Sequence, residues 1–122
     1  MTTPVTVVDD SALARKMLIR ALPSEWAVEI TQAANGHEAL AAYRAGRAGV
    51  MFLDLQMPEM DGYEVLEALR REQLDSFVVV VSADIQPLAQ QRVKELGAIG
   101  FVKKPVQPAD IVALLREHRV MA

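Results

Sequence analysis

The sequence predicts an α/β fold: a doubly wound sheet of five parallel strands covered on both faces by five helices, in a single domain. Three observations carry this. Short apolar runs rich in β-branched residues alternate with amphipathic stretches over almost the whole chain, and such alternation builds right-handed βαβ units. The run Phe77–Val81 has no polar alternation, which implies burial on both faces and hence a parallel sheet covered by helices. A length of 122 residues with 52% apolar content suits one domain with a full-sized core.

Each element has its own signals. Val5–Val8 reads as the first strand, and Asp9, Asp10 and Ser11 open a helix over ALARKMLIRAL, with Ala14, Met17, Leu18 and Ala21 on one face. Either Asp10 or Ser11 suits the cap, and Pro23 closes the unit. Ala27–Ile30, continuing towards Ala33, is the second strand. Asn35–Gly36 turns into a helix with the stripe Ala39, Leu40 and Tyr43, ended by Gly46. Val50–Leu53 is a third strand that stops at a carboxylate, Asp54, before Pro58 and Gly62 force a turn. Asp61 caps a helix over Tyr63–Arg71, whose Val65, Leu66 and Leu69 face inward. Ser82 follows the fourth strand, Phe77–Val81. Asp84 is placed to cap a fourth helix that starts at Pro87 and runs to Leu96, with Gly97 beyond it. Ile99–Lys103 is the fifth strand, and Pro108 starts a last helix with Ile111, Leu114 and Leu115 inside. His37 and His118 read as surface residues, and Met57 and Met60 as packing within a turn.

The polar anomalies fall at strand ends: Asp9 and Asp10 after VTVV, Asp54, Ser82, and Lys104 after GFVK. In an open parallel sheet ligands bind at the strand carboxyl ends, beside a topological switch point. Alternation alone leaves strand order open. The flavodoxin-like order 2-1-3-4-5 makes Asp9, Asp10 and Asp54 neighbours. Three carboxylates within about 5 Å would repel by roughly 3 kcal/mol per pair at an effective dielectric near 20. Either one acid is protonated, or a hard cation sits among them, and carboxylates with retained waters suit Mg²⁺. Acids, a divalent metal, an ammonium and a hydroxyl are equipment for a phosphoryl group, with a carboxylate as nucleophile.

Composition narrows the field. A net charge of −3 gives no electrostatic reason for nucleic acid or an anionic membrane as partner. There is no cysteine, so no disulfide, thiolate chemistry or Cys-based metal site is expected, which fits a cytoplasmic location. No stretch approaches the roughly 20 apolar residues of a membrane span. One Trp, two Tyr and three Phe do not make a stacking surface for bases.

Four motifs carry a family resemblance: VVDDS at Val7–Ser11, DLQMPEMDG at Asp54–Gly62, VVSA at Val80–Ala83 and FVKKP at Phe101–Pro105. The chain resembles the receiver domains of two-component response regulators, specifically the single-domain CheY-like kind. The expectation is one receiver domain over residues 1–122 with no output domain. The resemblance implies that Asp54 is the phosphoacceptor and that Asp9 and Asp10 bind Mg²⁺, or Mn²⁺ in its place, with Asp54 and the Gln56 carbonyl as further ligands. Lys104, rather than Lys103, would pair with the phosphate, since it precedes Pro105 and neighbouring strand residues point oppositely. A cis Lys104–Pro105 bond is implied as well. Ser82 matches the hydroxyl switch and Phe101 the aromatic switch, though Phe101 lacks a phenolic hydroxyl. Gln56 and Asp84 stand where the family tunes attack by water on the acyl phosphate.

The implied reaction is phosphoryl transfer from a histidine kinase, followed by self-catalysed dephosphorylation, with a separate phosphatase as a further implied partner. The implied output is a changed surface of the fourth helix, fifth strand and fifth helix, read by a target protein, with chemotaxis the family association. Monomer and weak dimer both remain open. A flavin carrier fits poorly, because DDSAL would repel phosphate without a metal. A phosphatase of the aspartyl-phosphate kind would want an acid where Gln56 stands. A phosphorylation-independent adaptor would have no need of all five site residues.

Overall fold

A computed structural model describes residues 2–83 and 86–121. Among these residues five strands and five helices alternate: β1 (Thr3–Val8), α1 (Ala12–Ala21), β2 (Val28–Ala33), α2 (Gly36–Arg44), β3 (Val50–Asp54), α3 (Gly62–Arg71), β4 (Phe77–Ser82), α4 (Pro87–Glu95), β5 (Gly100–Lys103) and α5 (Pro108–Glu117). The strands are all parallel and lie in the order β2-β1-β3-β4-β5. This is the flavodoxin-like order. The chain leaves β1 towards β2 on one side, and β3 returns on the other, so the switch point lies between β1 and β3.

Strand alternation divides the apolar side chains between two layers. Met51, Leu53, Val78 and Val80 pack with Leu40 of α2, Leu66 and Leu69 of α3 and Val93 of α4. Val50, Phe52, Val79 and Val81 pack on the opposite face with Leu18 of α1 and with Ile111 and Leu115 of α5. Thr6, a buried hydroxyl on β1, is satisfied by donating to the Arg47 carbonyl at 2.8 Å.

The helix starts follow their side chains. Ser11 Oγ accepts the Ala14 N–H at 3.1 Å. Asn35 Oδ1 accepts from Glu38 at 2.9 Å, while the Glu38 carboxylate takes the Ala34 N–H at 2.7 Å. Asp61 and Glu64 form a reciprocal capping box at the start of α3. For α4 the cap position is Gln86 and not Asp84, with Pro87 as the first helical residue. Asp84 lies outside the described residues. Positive φ at Gly46 and Gly97 ends α2 and α4 as anticipated.

Some details differ from the periodic reading. Met17 is 55% exposed rather than in the inward stripe; of α1 only Leu18 and Ala21 are buried, so the covered stripe is narrower than the apolar one. Phe77 is 45% exposed, since it stands at the amino end of β4, beyond the covering helices. Tyr43, Leu114 and His118 are half-buried. The Tyr43 hydroxyl accepts the Asp75 N–H at 2.9 Å and donates to the Glu72 carbonyl at 3.2 Å, so a residue expected to be core also ties down the α3–β4 loop. Met57 is buried and Met60 packs against the α2–α3 layer.

Candidate functional site

β1 and β3 pair with Val8 opposite Leu53, so the residues that follow, Asp9 and Asp54, leave adjacent strands side by side. Asp9 is held from four directions. Its N–H donates to the Ala33 carbonyl at 3.1 Å, and its own carbonyl accepts Arg15 Nη1 at 2.7 Å. Its Oδ1 accepts the Ser11 N–H and its Oδ2 accepts Lys104 Nζ, both at 2.9 Å. Asp9 and Asp54 are buried, at 6% and 5% exposure, while Asp10 is exposed. Each of the three acids offers an oxygen, and these oxygens lie within 4.8 Å of one another.

Lys104 reaches this cluster from the end of β5. Its Nζ lies 3.5 Å from Asp54 Oδ1 as well as 2.9 Å from Asp9 Oδ2. Its backbone N–H donates to the Ser82 carbonyl at 2.9 Å, and the Lys104–Pro105 peptide bond is cis. Lys103 points to solvent, as the alternation of strand residues requires.

Burial raises the proton affinity of Asp54 above the ordinary carboxylate range, and the charge on Asp9 adds to it; Lys104 and the Gln56 backbone act in the other direction without cancelling them. For Lys104, burial works to lower the ammonium's affinity for its proton. The hydrogen bond to Asp9 and the charges of Asp54 and Asp9 outweigh that and leave it raised, so it stays charged. Three carboxylates against one ammonium leave net negative charge in a partly buried place. The donor set is all oxygen and hard, and it fits a small divalent cation such as Mg²⁺ rather than a soft metal.

Gln56 is brought beside Asp54 by its backbone: its N–H approaches Asp54 Oδ1 at 3.4 Å, and its side chain is exposed. Ser82 is buried, and with Gln56, Met57, Asp61 and Tyr63 it lines a cleft of about 420 Å³ next to the acids. By alternation Ser82 and Phe101 lie on the α3–α4 side of the sheet, whereas Asp54 and Lys104 lie on the α1–α5 side. Phe101 is half-buried against the α2–α3–α4 layer and stands apart from the acids. Arg15 was not anticipated. Its bond is to a carbonyl, which every residue possesses, so its place on α1 one turn after the Ser11 cap is the only trace that sequence offers.

A flavodoxin-like sheet whose carboxyl edge carries an acid triad and one lysine narrows the chain to the receiver type. The profile of the response regulator receiver domain matches residues 5–116, and the chain belongs to that family. It is 40% identical over 115 residues to a protein-glutamate methylesterase/protein-glutamine glutaminase 2 of Koribacter versatilis, covering 90% of this chain and 31% of that protein. The chain spans between about a third and a half of the length of the curated relatives first matched. Among solved structures it resembles the signal receiver domain of the putative response regulator NarL of Mycobacterium tuberculosis, with a TM-score of 0.85, 32% identity, and 96% and 95% of the two chains covered. It also resembles the CheX–CheY–BeF3–Mg²⁺ complex of Borrelia burgdorferi, with a TM-score of 0.86, 27% identity, and 98% and 90% covered. The CheY-like receiver reading of the motifs stands. Among the described residues no helix is long and apolar enough to cross a membrane.

Proposed function

We propose that this domain accepts a phosphoryl group on Asp54 from the phosphohistidine of a histidine kinase. The observation that carries the reading is the triad Asp9, Asp10 and Asp54 with Lys104 bridging Asp9 and Asp54. In the transfer an Asp54 oxygen attacks phosphorus in line, the phosphorus–nitrogen bond to the kinase breaks, and the imidazole leaves with the electron pair. Asp9, Asp10, Asp54 and the Gln56 carbonyl would hold Mg²⁺, with Mn²⁺ as its substitute, which supplies charge neutralisation at the phosphoryl oxygens. Lys104 contributes a second positive charge on the same side, and Ser82 a hydroxyl donor from the other. Gln56 and Asp84 occupy the sequence positions where the family tunes attack by water on the acyl phosphate, and so would set its lifetime.

The phosphoryl group then biases a two-state equilibrium. Ser82 moves to bond it, Phe101 turns into the vacated space, and the face formed by α4, β5 and α5 changes. Phe101, Lys103, Leu114 and Glu117 line a groove of about 380 Å³ on that face, which suits a target protein. The Borrelia relative, a CheY bound to CheX with BeF3 and Mg²⁺, supports a protein partner, and a separate phosphatase is the further partner that the family resemblance implies. The process we put first is chemotaxis, in a cytoplasmic protein used as a monomer or weak dimer.

Incubation with a small acyl-phosphate donor, with and without Mg²⁺ and beside Asp54→Asn, tests this by intact mass. A single Mg²⁺-dependent phosphate addition, absent from the variant, is expected. No addition to a folded protein, together with no Mg²⁺-dependent binding of beryllofluoride, would overturn the reading.

A further inference from the structure

The β1–α1 loop supplies two of the three acids, yet only one is tethered through its side chain. Asp9 is fixed at both carboxylate oxygens. Asp10 is exposed, and among the described residues its carboxylate makes no hydrogen bond. Its direction is therefore set by the peptide that joins it to Asp9. That peptide's carbonyl accepts Arg15 Nη1 at 2.7 Å, while Arg15 Nε donates to Gln32 Oε1 on β2 at 2.9 Å. One planar guanidinium thus ties the loop to the neighbouring strand, where Gln32 pairs with Val7 in register. Arg15 makes no ion pair with Asp9, Asp10 or Asp54 among the described residues. It takes the carbonyl and leaves the carboxylate oxygens open to a cation.

Resting on the reading of the acids as a divalent-cation site, we infer that Arg15 is a positioning residue that holds the Asp9–Asp10 peptide so that the Asp10 carboxylate faces those of Asp9 and Asp54. The charge of Arg15 and its position act with opposite signs. By charge alone, a guanidinium beside a cation site repels the cation, and removing it would tighten binding. By position, removing it frees the Asp10 carboxylate and weakens binding, and outer-shell partners of metal ligands are typically worth about 10- to 100-fold in affinity. The positional effect is the larger one here, because Asp10 has no other restraint on its side chain.

Mg²⁺ titrations followed by ¹H–¹⁵N NMR on the wild type, Arg15→Met, Arg15→Lys and Gln32→Leu test this, with amide exchange measured on the metal-free proteins. Arg15→Met is expected to weaken Mg²⁺ binding about 10-fold. Gln32→Leu changes no charge and weakens it by a smaller factor, and Arg15→Lys, which keeps one donor, falls between the wild type and Arg15→Met. The Ser11 N–H, bonded to Asp9 Oδ1, exchanges faster in metal-free Arg15→Met than in the wild type. Unchanged or tighter Mg²⁺ binding by a folded Arg15→Met overturns the positioning role. Should that variant not fold, unchanged affinity in Gln32→Leu overturns it instead. A wild type that binds no Mg²⁺ would overturn the cation site itself and this inference with it, so the two failures are told apart by the wild-type titration.

Discussion

Asp54 is a carboxylate at a place where ionisation is costly. Folded, it holds its proton more tightly than it does unfolded, first because it is buried and then because Asp9 is near. From the ordinary carboxylate range up to that raised value, the folded state binds more protons, so its contribution to stability falls as pH rises and the cost is complete above it. Asp54→Asn is therefore expected to melt higher than the wild type at neutral pH without Mg²⁺. Thermal scans should show the gap closing as pH drops towards about 4, and a constant gap would contradict the account. Lys104→Met removes the ammonium that both buried acids face. In urea unfolding without Mg²⁺ it should lose roughly 1–3 kcal/mol, with part of the loss recovered by millimolar Mg²⁺ through mass action. Asp54 and Lys104 were legible in the sequence because a charge that ends an apolar strand breaks a pattern. The second burial of Asp9, between Lys104 and Ser11, was not, since it depends on partners distant along the chain.

At the scale of single elements, the β3–α3 connection is the most constrained stretch. Gly62 reads in sequence as a turn glycine, yet its φ is not in the left-handed region. A Cβ there would stand 2.6 Å from the Asp54 carbonyl oxygen and 2.8 Å from Leu55 Cα, both backbone atoms that cannot swing aside. The requirement is close approach of the α3 start to the end of β3, and it couples the helix to Asp54, the proposed phosphoacceptor. Gly62→Ala should cost about 1–3 kcal/mol, as overpacking does, and should slow adduct formation on Asp54 in the mass assay; an unchanged rate would separate the loop from the chemistry. Asp61→Ala removes the capping box and should cost about 1 kcal/mol in denaturant unfolding without abolishing the adduct. The caps and most helix faces were readable because they are local. Met17 was misread because periodicity identifies an apolar stripe but says nothing of how wide a stripe the sheet covers.

Across the whole molecule one sheet separates two apolar layers, and neither has a core of its own without it. Leu66→Ala in the α3 layer and Ile111→Ala in the α5 layer each remove a fully buried side chain, at about 2–5 kcal/mol. Each should lower a single melting transition, with circular dichroism and calorimetry coincident. A second transition in either variant would mean that the layers open separately. Five alternating units were plain in the sequence, but the strand order was not. That order rests on pairings between residues some 45 positions apart, such as Val5 with Val50, and entered through the strand-end acids and the family resemblance. The polarity of the sheet also decides what light can report. Trp26, the sole tryptophan, is buried beside the amino end of β1, where the next residue's carbonyl takes the Thr3 N–H. A six-residue strand at about 3.3 Å per residue puts it roughly 20 Å from the acids. Its emission will track the opening of the α1–α5 layer and stay dark to a cation or phosphoryl group at the opposite pole, so an optical probe of switching has to be built in, for which Phe101→Trp is the natural position.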